Sequence, residues 1–206
     1  MLSMKKQITF VFLLTLSILS CFSQDSENEK PKSTFIITVD GKEYTVSEGE
    51  ELNVNNSIVT VKLSPLRTFK TDFLSFNYPS NFSYSFESDA FYKNWSLDGS
   101  DYVVMLFEIG VKTSMDVFID EMIGQFGKQN CTTELSSKNL GGKDLKGKRI
   151  NVNLVGQRLI IDFLEIPNSS GKSRFLALQD VLDEDGSPTK ESQKTLEVID
   201  QSIKFN

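Results

Sequence analysis

The chain has 206 residues, 39% of them hydrophobic and 24% charged, and a net charge of −6, enough for one domain with a real core. The acidic balance argues against nucleic acid, whose phosphates call for basic patches, and against anionic lipid. Histidine is absent, which excludes Ser-His-Asp and Cys-His catalysis and any His-containing zinc site.

Residues 1–23 have the parts of a secretory signal: a basic start at Lys5-Lys6, then an apolar stretch from Ile8 to Leu19. That stretch has signal length and is short for a bilayer span. Two processing routes stay open. Ile18-Leu19-Ser20-Cys21 resembles a bacterial lipobox, in which Cys21 would be acylated and become the first residue. Alternatively, small residues at Cys21 and Ser23 fit an ordinary cut before Gln24. Either route exports the chain, to the periplasm, to an outer-membrane anchor or to the exterior. The only charged side chains removed are Lys5 and Lys6, so the net charge goes from −6 to −8. Cys131 is then the one cysteine inside the fold, so neither an internal disulfide nor a four-cysteine zinc site can form. Residues 24–33 carry no apolar side chain except Pro31 and read as a disordered tether.

Residues 34–70 read as an N-terminal β extension. Phe35 to Val39 and Glu43 to Val46 flank Asp40-Gly41, a preferred hairpin turn. Ser47 to Ser57 is a loop, Ile58 to Leu63 a third strand, and Leu66 to Lys70 an edge. The main domain is expected over 71–206. It opens on the aromatic run Phe73 to Asp98, where polar and apolar residues alternate as in a half-buried strand and Tyr78-Pro79 makes a corner. Asp98-Gly99 turns the chain into Tyr102 to Ile109, apolar enough for a central strand. Ser114 to Phe126 is a helix with Ser114 as N-cap. Its stripe of Met115, Phe118, Ile119, Met122, Ile123 and Phe126 is a core face. Strands follow at Cys131 to Ser137, Lys148 to Val155, Leu159 to Ile166 and Arg174 to Gln179, with turns at Gly141-Gly142, Gly156-Gln157 and Pro167 to Gly171. Ser187-Pro188 opens a last helix, with Ser187 as N-cap and Pro188 in the first turn. Strands, helix, strands, helix predict an α+β fold: an antiparallel sheet flanked by two main helices in an α/β/α sandwich, with the N-terminal hairpin as an extension.

Four features carry a resemblance. The opening strand Leu74 to Pro79, the helix after the first long hairpin, the Gly141-Gly142 turn before a meander, and the closing helix that ends in Ser202-Ile203-Lys204-Phe205 resemble the PsbP and DcrB group of domains. That group shares its fold with the eukaryotic Ran-release factor. The resemblance covers about Thr71 to Asn206 and implies a PsbP-like sandwich and an adaptor role. It brings no residue signature for catalysis.

No motif implies a metal or a cofactor. Asp183-Glu184-Asp185-Gly186 lacks the spacing of a calcium loop and reads as a solvated acidic turn. Asp98 and Asp101 sit on a hairpin tip, where turn chemistry accounts for them. Lys143, Lys146, Lys148 and Arg149 read as a charged, solvent-facing edge strand. Cys131 reads as a small buried hydrophobe. Tyr92 and Trp95 are the candidate residues for binding a ligand or partner, each a large ring with a polar tip, against the alternative that Trp95 is core. The functional expectation is an exported, non-enzymatic binding or accessory protein of the bacterial envelope, lipid-anchored if Cys21 is acylated, that contacts a protein or a small ligand. The alternatives are a carboxylate-based hydrolase and a chaperone- or immunity-type partner-binding protein.

Overall fold

The computed structural model describes residues 31–52, 59–154, 156–168 and 171–206. The expected signal, Cys21, most of the expected tether and part of the 47–57 loop lie outside the described residues.

Strands β1 (Thr34–Val39) and β2 (Lys42–Ser47) form the expected hairpin. Asp40 and Gly41 have φ of 47° and 80°, the left-handed pair that a tight primed turn needs. β3 (Val59–Leu63) pairs along the other side of β1, giving the order β2-β1-β3. The register puts Phe35, Ile37, Tyr44, Val46, Val61 and Leu63 on one face. This sheet belongs to neither of the two cores described below.

β4 (Leu66–Lys70) and β5 (Leu74–Pro79) pair antiparallel. β5 alternates cleanly: Leu74, Phe76 and Tyr78 are buried while Ser75 and Asn77 are half-exposed. After the Pro79 corner come β6 (Ser83–Ser88), β7 (Tyr92–Asp98) and β8 (Tyr102–Ile109), then helix α1 (Met115–Phe126). A short 3-10 turn leads to β9 (Cys131–Leu140), β10 (Lys143–Leu154), β11 (Gln157–Glu165) and β12 (Ser173–Val181). Helix α2 (Lys190–Ser202) and β13 (Lys204–Phe205) close the chain. The large sheet has seven antiparallel strands in the order β6-β7-β8-β12-β11-β10-β9, with β8 inside it as expected. β13 adds to the free edge of β5, making a small sheet β13-β5-β4.

The large sheet buries both faces. On one, α1 lays Phe118, Ile119 and Met122 over Phe107, Phe163 and Phe175, with Phe118 stacked 4.5 Å from Phe175. Ser114 caps α1 by accepting from Val117 N at 3.3 Å, and Gly127 at φ 82° ends it. The other face packs Trp95, Leu97, Leu106, Leu164 and Leu176 against Ile199 and Ile203 of the α2 region and the inner face of β5.

The α/β/α sandwich expected from the sequence is overturned. Strands take 54% of the described residues and helices 17%, in three sheets. One face carries a single helix; the opposite face is covered by α2 together with the small sheet. The physical reason lies in β5. Its inner face is so apolar that it acts as a cover for the large sheet, and it takes its ladder partners from β4 and β13. β4 stands on the N-terminal side of residue 70, so its ladder with β5 crosses the expected boundary.

Candidate functional site

The polar chemistry of the molecule concentrates where α2 crosses β9 to β12. Asp162 on β11 lies opposite Arg149 on β10 and Leu178 on β12, so all three face α2. Asp162 is only 2% exposed. Its Oδ1 accepts from Arg149 Nε at 2.8 Å and from Ser136 Oγ at 2.8 Å; its Oδ2 accepts from Arg149 Nη2 at 2.9 Å. Lys138 Nζ stands 3.2 Å from Oδ2. Burial alone would raise the Asp162 pKa, but the Arg149 hydrogen bonds, the Lys138 charge and Ser136 outweigh it and hold the carboxyl below the usual range.

One row along the sheet, Asp180 on β12 lies opposite Tyr102 on β8 and Ile160 on β11. It is also buried. Thr189 Oγ1 donates to it at 2.7 Å, Ser192 Oγ at 2.6 Å and Thr189 N at 3.3 Å. Thr189 Oγ1 also accepts from Ser192 N at 3.2 Å, so Thr189 is the N-cap of α2. The expected cap at Ser187 is thus displaced by two residues. Asp180 draws Thr189 inward, while Ser187 turns its Oγ and N to Asp185 Oδ1 at 2.7 and 2.8 Å. Burial, followed by the charges of Asp180 and Asp162, raises the Tyr102 hydroxyl pKa well above the tyrosine range. Glu191 in the first turn of α2 accepts from Asp101 N at 2.6 Å and Tyr102 N at 3.0 Å, tying the β7–β8 loop to the helix.

A cavity of about 160 Å³ opens between these groups, with Ile160, Leu178 and Leu196 as its apolar walls and Lys138, Arg149 and Gln193 among its polar residues. It is a groove between helix and sheet with charged groups at its base. Each oxygen of Asp162 and of Asp180 already accepts at least one hydrogen bond from the protein. The Asp162 bonds tie β9 and β10 to β11, and the Asp180 bonds tie β12 to the start of α2. Among the described residues, no group of three or more His, Cys, Asp or Glu could hold a metal ion.

Tyr92 and Trp95 are both interior, at 7% and 6% exposure. They point to opposite faces of β7, because side chains an odd number of residues apart on a strand diverge. Trp95 meets Phe69 and Phe73 edge-on at 6.3 Å in the α2-side core, and Tyr92 lies 6.3 Å from Phe107 in the α1-side core. The exposed aromatic of this stretch is Phe91, at 65%. The Lys143 to Arg149 cluster is not on an edge strand, since β10 lies between β9 and β11. Alternation divides it: Lys148 pairs with Asp116 of α1 at 2.5 Å, and Arg149 turns to Asp162 on the other side. In the acidic turn, Arg158 Nη2 donates to the carbonyls of Asp183 and Glu184 at 3.3 and 2.7 Å. Cys131 is partly buried, which raises its thiol pKa and leaves it the poorer nucleophile. The α2 cluster was absent from the sequence reading. Its one local signal is a lone carboxylate inside an apolar run, Leu159-Ile160-Ile161-Asp162-Phe163-Leu164.

No protein-family model matches the chain, and no curated protein matches it.

Proposed function

We propose that the protein is an exported, non-enzymatic binding or accessory protein of the bacterial envelope that acts through the groove between α2 and the seven-stranded sheet. The observation that carries this reading is that protein donors bond every carboxylate oxygen of Asp162 and Asp180. A carboxylate-based hydrolase needs one acid and one base with their pKa values pushed apart; the carboxyl that burial pushes upward among the described residues, Asp98, is bonded by Ser96 and lines no part of the groove. Export is supported by the basic-apolar-small order of residues 1–23. Membrane attachment then depends on Cys21 and a lipid, and no helix among the described residues is long and apolar enough to cross a membrane. The motif resemblance to the PsbP and DcrB group implies the same kind of role.

The test is turnover. Wild type and Asp162→Asn are assayed side by side on chromogenic glycosides, esters and phosphoesters. The reading expects no turnover in wild type that the variant lacks; a wild-type activity abolished by Asp162→Asn would replace it with the hydrolase reading.

A further inference from the structure

A second cavity, of about 310 Å³, shares no lining residue with the first. It lies where the start of β10, the segment after β11 and β13 meet. Phe73, Phe205 and Ile166 wall it, and Lys143 and Arg174 bring positive charge to it.

Both cations are seated on rings. The Arg174 guanidinium carbon is 3.9 Å from the Phe73 ring centre, and Lys143 Nζ is 4.7 Å from that of Phe205. A ring face holds a cation without cancelling its charge. Among the described residues, no carboxylate forms an ion pair with Lys143. Arg174 shares the buried Glu108 with Lys172, at 2.9 and 2.7 Å, and Asp72, which is 78% exposed, stands 3.7 Å away. Lys143 and Arg174 are the charged side chains that line the cavity. The rim is braced beforehand: Asn206 N donates to Phe73 O at 3.0 Å, and Asn168 Nδ2 to Ile166 O at 3.3 Å.

We propose that this cavity is an oxyanion site, taking the carboxylate or phosphate group of a small ligand between Lys143 and Arg174. The Phe73 ring holds the Arg174 guanidinium at the cavity, and hydrogen bonds from charged donors to an anion are stronger than neutral ones. Lys143 is exposed and free to swing its ammonium onto the anion, while Arg174, held by Glu108 and Phe73, is the fixed wall. The site is separate from the α2 groove and does not depend on export.

Sodium phosphate and sodium acetate are titrated separately into the full chain at constant ionic strength, with sodium chloride as the reference, and amide shifts are followed by NMR. Saturable shifts at the cavity lining are expected. Phosphate alone would assign a phosphate-bearing ligand; acetate alone would assign a carboxylate. Lys143→Met should weaken binding roughly tenfold through the loss of one charge-assisted contact, whereas Lys146→Met, outside the lining, should leave it unchanged. Shifts that chloride reproduces, or binding that Lys143→Met leaves intact, would overturn the site.

Discussion

The guanidinium of Arg149 grips the carboxylate of Asp162 with two parallel hydrogen bonds, Nε at 2.8 Å and Nη2 at 2.9 Å, across the β10–β11 ladder. Asp162 is buried, while the Arg149 side chain keeps 29% of its surface. Arg149→Met would leave the carboxylate buried with Lys138 and Ser136 alone, and should cost about 3 kcal/mol in urea unfolding. A loss below about 1 kcal/mol would mean that Lys138 and Ser136 suffice.

The same pair makes stability depend on pH. The folded-state pKa of Asp162 lies below its unfolded value, and so does that of Glu108, where the Lys172 and Arg174 hydrogen bonds outweigh burial. A carboxyl depressed in the folded state contributes its full stability above the unfolded pKa, about 4. That contribution is lost as the pH falls through the folded pKa. Urea midpoints should therefore fall as the pH drops below about 4, and less steeply in Asp162→Asn than in wild type.

Thr189 both caps α2 and donates to Asp180. Thr189→Ala should cost roughly 1–2 kcal/mol, and Thr189→Ser should recover most of it, since the hydroxyl is what both contacts use. Equal losses in the two variants would show that the methyl group, and not the hydroxyl, is needed.

Gly147 on β10 has no space for a side chain: a Cβ there would overlap the carbonyl oxygen of Phe163 on the neighbouring strand. Gly147→Ala should force β10 from β11 and destabilise by about 3 kcal/mol, seen as a lower thermal midpoint. Gly124→Ala on α1, where the added carbon meets nothing, should instead hold or raise it.

Much of the local structure was legible in the residues. Asp40-Gly41 and Gly141-Gly142 turn the chain as their φ preferences demand, and the Ser114 cap and the Phe118-Ile119-Met122 stripe place α1. Three things were hidden, each for want of a three-dimensional neighbour. Side-chain periodicity tells which face of β5 is buried, but not that its ladder partners are β4 and β13. The spacing of Tyr92 and Trp95 sends them to opposite faces of a strand, but does not tell that both faces of β7 are covered by core. Asp162 and Asp180 are 18 positions apart in sequence, so only the β11–β12 register brings their rows together under α2.

Trp95 is the only tryptophan, so its fluorescence reports on that core without labelling. At 6% exposure its emission should be blue-shifted and resistant to iodide quenching in the folded protein. A red-shifted, readily quenched emission would put the ring at the surface as a contact residue.

Asp162 and Asp180 hold the sheet and α2 together through the protein's own donors. The most direct measurement is an NMR titration of the Asp162 side-chain carboxyl in the folded protein. The pairing with Arg149 and Lys138 predicts a midpoint below the ordinary aspartate value of about 3.9, with no further change up to neutral pH. A midpoint raised toward neutrality, where a general acid would have it, would contradict the account and point back to hydrolysis.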